Sequence, residues 1–117
     1  MNQTKNIRKF LEKILKQLDE LKAIEVVVVN IEKRSALADF FIIASGSSSR
    51  HINSIASKIV KTNKRELIAI EGLKSTDWVI LDFGDIILNL FKPETRKHYN
   101  LEKIWQYGVE DEKMSFG

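Results

Sequence analysis

Phe40-Phe41-Ile42-Ile43-Ala44-Ser45-Gly46-Ser47-Ser48-Ser49-Arg50-His51-Ile52 is the stretch that decides the fold of this chain. Its first six residues form a short run rich in aromatic and β-branched side chains, which reads as a buried strand. Gly46 and the three serines after it supply a flexible turn and several candidate helix N-caps. Beyond the turn, Ile52, Ile55, Ala56, Ile59 and Val60 share one stripe, while Arg50, Asn53, Ser57, Lys58 and Lys61 fall largely outside it. That spacing predicts an amphipathic helix packed on a sheet. Polar and basic Thr62 to Arg65 close it, so the centre of the sequence is a strand, turn and helix unit.

Upstream, Glu25 to Ile31 holds four consecutive valines and reads as a second strand. Before it, Ile7, Phe10, Leu11, Ile14, Leu18 and Leu21 recur at three- and four-residue intervals, predicting an amphipathic helix. Its polar side is basic, but a solvated face on a core-packed helix explains that better than a membrane or nucleic-acid contact. Downstream, Glu66 to Ile70 is a further strand. Trp78 to Asp82 and Ile86 to Phe91 form an antiparallel hairpin across Phe83-Gly84-Asp85. Pro93, the lone proline, ends the hairpin. A short helical turn from Glu94, helical segments over Leu101 to Tyr107 and a frayed tail over 110–117 follow. The expectation is a single α/β domain over residues 1–117, with a mixed sheet of about five strands flanked by helices.

Composition narrows the function. Apolar residues at 44% and charged residues at 30% describe a folded chain rather than a disordered one. A net charge of +3 biases the protein only mildly toward anionic partners, since its bases are interleaved with acids along the chain as a whole. Without cysteine, disulfides, thiolate metal sites and thiol catalysis are excluded. Met1 to Lys22 lacks a signal peptide's apolar core, and its acids Glu12, Asp19 and Glu20 argue against a transit peptide. With no apolar run long enough to span a membrane, a soluble cytoplasmic protein is expected.

Little in the sequence looks catalytic. Gly46 to Arg50 opens a helix, where amides bind phosphates, but there is neither a Walker lysine nor a dinucleotide glycine pattern. A Gly-Ser after a strand also suits nucleotidyltransferases, which need paired carboxylates for metal ions. The helix from Arg50 to Lys61 carries none. Asp82 and Asp85 are too few oxygens for a metal cage and suit turn chemistry. The sequence neighbours of His51 and His98 offer neither a nucleophile with an orienting partner nor metal-ligand spacing. No catalytic residue, metal or cofactor is assigned. Trp105 sits in an apolar pattern and fits the core, whereas Trp78, on one alternating face with Ile80 and Asp82, fits a core and an interface equally.

Several ordered motifs carry a resemblance: Ala38-Asp39-Phe40-Phe41-Ile42-Ile43, Gly46 to His51, Glu71-Gly72, Asp77-Trp78, Asp82-Phe83-Gly84-Asp85 and Arg96-Lys97-His98-Tyr99-Asn100-Leu101-Glu102-Lys103-Ile104-Trp105. Together the chain resembles the ribosome silencing factor, or Iojap-like, family from its first helix to Trp105. The resemblance implies a nucleotidyltransferase-like topology without the catalytic acids, and no enzyme activity. It implies binding to the fourteenth protein of the large ribosomal subunit, on the face that meets the small subunit, so that joining is blocked and translation repressed. Relatives in organelles assist large-subunit assembly, and free members form homodimers. One departure is Asn89, where the family commonly carries histidine; asparagine still donates and accepts hydrogen bonds but takes no proton near neutral pH.

On this reading Trp78 is a buried anchor of the docking surface and Tyr99 its aromatic partner. Lys92 and Arg96 face acidic side chains or nearby rRNA, and Asp82 and Asp85 pair with bases of the ribosomal protein or shape the turn. The rival readings are an RNA-binding module using the basic helices and a divergent nucleotidyltransferase using the Gly46-Ser47 turn.

Overall fold

The computed structural model describes residues 3–32, 38–99 and 113–115. Helix α1 (Gln3–Glu20) leads into β1 (Ile24–Asn30), followed by β2 (Phe40–Ser45), α2 (Ser49–Thr62), β3 (Ala69–Glu71), β4 (Trp78–Asp82), β5 (Ile86–Phe91), α3 (Pro93–Tyr99) and β6 (Lys113–Ser115). The strands form one mixed sheet in the order β3-β4-β5-β2-β1-β6. All pairs are antiparallel except β2 with β5, which run parallel: the chain crosses from β2 through α2 to β3 and then reverses twice, through β4 to β5.

Every strand expected from the sequence is present, with two differences. The strand expected over Glu66 to Ile70 is confined to 69–71, since the Glu66 amide closes a turn onto the Asn63 carbonyl. Residues 113–115, placed by the sequence reading in a frayed tail, instead form a sixth strand against Val27 to Val29. The helical segments expected over Leu101 to Tyr107, and Trp105 with them, lie outside the described residues.

Alternation along the strands separates two faces. One buries Val28, Phe40, Ile42, Ala44, Val79, Leu81, Leu88 and Leu90 beneath α1 and α2, whose inward stripes include Leu11, Ile14, Leu18, Ile52, Ile55 and Ile59. Both predicted amphipathic helices therefore share one layer on one side of the sheet. They are joined at their ends, where the Gln17 amide donates to Thr62 Oγ1 at 2.7 Å and the Asn63 amide to Gln17 Oε1 at 3.0 Å.

The Gly46-Ser49 turn does what its composition predicts. Ser48 caps α2, its side chain accepting from the His51 amide at 3.1 Å. His51 Nδ1 accepts the Ser47 amide at 2.9 Å, which places the ring proton on Nε2, donating to the Leu21 carbonyl at 2.8 Å. His51 thereby ties the turn to the end of α1. Two amides that a phosphate would need at this helix start are spent within the protein. Gly46 is required because a Cβ would meet Ile52 Cγ1 at 2.6 Å.

Candidate docking surface

The sheet face turned away from α1 and α2 carries the residues singled out in the hairpin. Register aligns them in rows across the strands: Ser45, Phe91 and Trp78; Ile43, Asn89, Ile80 and Glu71; Phe41, Ile87, Asp82 and Ala69. Ile43 and Phe91 are fully buried, whereas Phe41, Trp78, Ile80 and Ile87 are half-buried. The half-exposed members form an aromatic and aliphatic strip along the β4–β5 hairpin. Apolar side chains of this size at a partly open surface are the usual core of a protein contact.

Trp78 is held from two sides. Its ring lies 5.1 Å from that of Phe91 at 39°, an arrangement worth about 0.5–1.5 kcal/mol beyond the area it buries. Its indole N–H donates to Asn89 Oδ1 at 3.1 Å, and the Asn89 amide donates onward to the Ile42 carbonyl at 3.2 Å. Asn89 is 2% exposed, so both ends of its amide are used inside the protein. The pair of roles it plays, one acceptor and one donor, is also what a neutral imidazole offers. Trp78 thus packs on one side within the protein while the residue as a whole stays half-buried.

The loop before Trp78 is equally constrained. The Thr76 amide donates to the Gly72 carbonyl at 3.0 Å, and buried Thr76 sends its hydroxyl to Ser49 Oγ at 2.8 Å, at the start of α2. Thr76 takes φ 58° and Gly72 φ 88°, left-handed conformations that only glycine adopts without cost.

The six residues marked from the sequence do not form one cluster. Trp78 and Lys92 stand at one end of the hairpin; Asp82 and Asp85 stand at the other, about 13 Å along β4 at some 3.3 Å per residue. Lys92 Nζ meets Asp77 Oδ1 at 3.5 Å, a partly exposed ion pair worth at most about 1 kcal/mol. Asp82 shapes the turn, its Oδ1 accepting the Gly84 amide at 2.8 Å. Exposed Asp85 offers its carbonyl to the amides of Asp39 and Phe40, which ties the hairpin to β2. Tyr99 ends α3, and its side chain lies outside the described residues.

Arg96 is placed differently from the sequence expectation. Only 5% exposed, its guanidinium donates to the Glu25 carbonyl at 2.9 Å and to Ser45 Oγ at 3.0 Å. Glu25 takes φ 48° at the irregularity in β1, within the stretch where the register with β2 shifts. Arg96 is therefore an internal strut between α3, β1 and β2, because a buried cation must spend its donors on acceptors. Asn89, Thr76 and Gly72 were not marked as site residues; the signal that could have found Asn89 was a polar side chain inside an otherwise apolar strand.

At the acidic end of the hairpin, Asp39 has its carboxyl raised above the usual 3.8 by burial first, then by the neighbouring charges of Asp85 and Glu32. The unfolded chain lacks this penalty. Asp39 therefore costs stability above pH 3.8, increasingly as pH rises through its folded value, and costs nothing once protonated in both states. Asp39→Asn is expected to raise the melting temperature at pH 7, with the gain shrinking toward zero as pH falls below 3.8. A gain that persists unchanged at pH 3 would show that charge is not its cause.

The antiparallel hairpin thus presents a braced, half-buried indole, and no group of three or more His, Cys, Asp or Glu side chains that could hold a metal ion occurs among the described residues. The family described as "Ribosomal silencing factor during starvation" matches residues 4–115, and the chain belongs to it. It is 41% identical to the ribosomal silencing factor RsfS of Zymomonas mobilis over 88% of this chain and 80% of that protein. It is 30% identical to the murine "Mitochondrial assembly of ribosomal large subunit protein 1", over 90% of this chain and 49% of that longer one. A crystal structure from Bacillus halodurans superposes with a TM-score of 0.73 at 33% identity, covering 84% of this chain and 94% of the other. The family is one of regulatory factors, not enzymes.

Proposed function

We propose that this protein represses translation by docking the half-buried strip along the β4–β5 hairpin on the fourteenth protein of the large ribosomal subunit and so blocking the small subunit. Membership of the silencing-factor family supports the ribosomal target. The observation that carries the choice of surface is the half-buried Trp78, fixed by Phe91 and Asn89 at the edge of an apolar strip. Trp is among the residue types that most often dominate interface energy. Lys92 and Asp77 border it as a polar rim, and Tyr99 is its proposed aromatic partner. Asp82 and Asp85 form a separate acidic contact for basic side chains. The mechanism is steric: surfaces in contact are separated by a few ångströms, and the protein's smallest principal extent is 24 Å.

The protein acts in the cytoplasm, and its free form pairs as a homodimer. No helix among the described residues is long and apolar enough to cross a membrane. A second reading, large-subunit assembly, is favoured by the murine relative's name. Added at saturation to dissociated subunits returned to joining conditions, the purified protein is expected to keep most subunits free in a sucrose gradient. An unchanged proportion of joined ribosomes, despite co-sedimentation with the large subunit, would remove the blocking mechanism. Retention of the isolated fourteenth protein on immobilised chain, with naked rRNA as control, tests the partner.

A further inference from the structure

The chain's positive charge is not spread as its composition suggests. Residues 40–65 contain five bases, Arg50, Lys58, Lys61, Lys64 and Arg65, and no acid. With 19 bases and 16 acids in the whole chain, the remainder holds 14 and 16 and is slightly acidic. All five of these bases are exposed and lie on α2 or just after it. Among the described residues the ion pairs are Arg8 with Glu32 and Lys92 with Asp77, so none of the five is neutralised by a carboxylate.

Arg50, Asn53, Ser54, Ser57, Lys58 and Lys61 line one open groove of about 380 Å³ along the solvent side of α2. Helix stability does not explain this arrangement. Lys61 in the last turn is favoured by the helix dipole, but Arg50 stands in the first turn, which has no acidic residue and where a cation is disfavoured. The groove's outermost cations, Arg50 and Lys61, are eleven positions apart, about 16 Å at 1.5 Å per residue, with neutral hydrogen-bonding side chains between them. Lysine, arginine, serine and asparagine are the types that contact phosphate and sugar oxygens in nucleic-acid complexes.

We infer that this face of α2 is a second contact surface, one that binds the phosphate backbone of RNA. It deepens the proposed function, since it gives the protein an RNA contact on the opposite side of the sheet from Trp78. The groove carries no aromatic side chain for base stacking, so the contact is with backbone and is insensitive to base sequence.

The test uses the full chain and a 16-base-pair RNA duplex, read by fluorescence anisotropy. Three neutralised phosphates give a slope of about −2.7 for log affinity against log salt, a loss of about 40-fold between 50 and 200 mM. The triple variant Arg50→Gln, Lys58→Gln, Lys61→Gln is expected to lose most of that slope and at least tenfold in affinity at 50 mM salt. Its melting curve should match the parent's, since all three side chains are exposed. No duplex binding at 50 mM salt, or a variant with the parent's affinity and slope, would overturn the inference. So would equally tight, equally variant-sensitive binding to phosphatidylglycerol vesicles, which would mark a general polyanion surface. Because the duplex assay contains no ribosomal subunit, failure of subunit docking would leave its outcome unaffected.

Discussion

Trp78→Ala is expected to weaken co-sedimentation with large subunits by about 30-fold or more, the equivalent of about 2 kcal/mol for a buried aromatic anchor. The same substitution also acts on the protein itself. It removes the stack on Phe91 and leaves Asn89 Oδ1, inside a residue 2% exposed, without its indole donor. A buried acceptor that loses its partner costs about 1–3 kcal/mol, so the alanine variant melts earlier as well. Trp78→Phe separates the effects. It keeps a ring against Phe91 but loses the N–H, so it should share part of the stability loss while retaining most of the docking affinity. Full co-sedimentation of a folded alanine variant would take Trp78 out of the contact.

Gly72→Val is expected to lower stability by more than about 3 kcal/mol and to abolish docking with it. At φ 88° a β-branched residue is strained, and a Cβ on Gly72 would collide with the Trp78 carbonyl oxygen. Relief requires the loop to move, yet the loop is fastened by Thr76 to both Gly72 and Ser49. The strain is therefore transmitted to the strand that presents the indole. Denaturant unfolding measures the first effect. Gly72→Ala, which introduces the collision with a smaller side chain, should be intermediate, and a valine variant of parental stability would contradict the assigned geometry.

The fold was legible wherever a local period expressed the burial of one face. The stripe from Ile52 to Val60 gave α2, and two apolar runs around Phe83-Gly84-Asp85 gave the hairpin, because both signals are contained within a few turns or a few residues. The strand at 113–115 was illegible for the opposite reason. Lys-Met-Ser has no strand pattern of its own and is ordered by β1, more than eighty residues earlier. Arg96 shows the same limit at the level of a side chain. Read beside Lys92 and Lys97 it is a surface cation; its acceptors at Glu25 and Ser45 are 71 and 51 residues away and become neighbours only on folding. Trp78 was legible as an aromatic on a mixed face, but its brace was not. The Asn89 bond depends on the cross-strand register, which sequence spacing alone does not fix to the residue.

The sheet's two outer strands, β3 and β6, are each three residues long. An open sheet edge is a template on which further copies of a chain can polymerise, and the length of the edge strand limits how many main-chain bonds each added copy gains. Here either edge offers only a few such bonds, too little to offset the loss of freedom of an incoming strand. Growth by strand recruitment therefore stalls at the first step. Of the surfaces the described residues offer for association, side chains therefore count for more than strand edges.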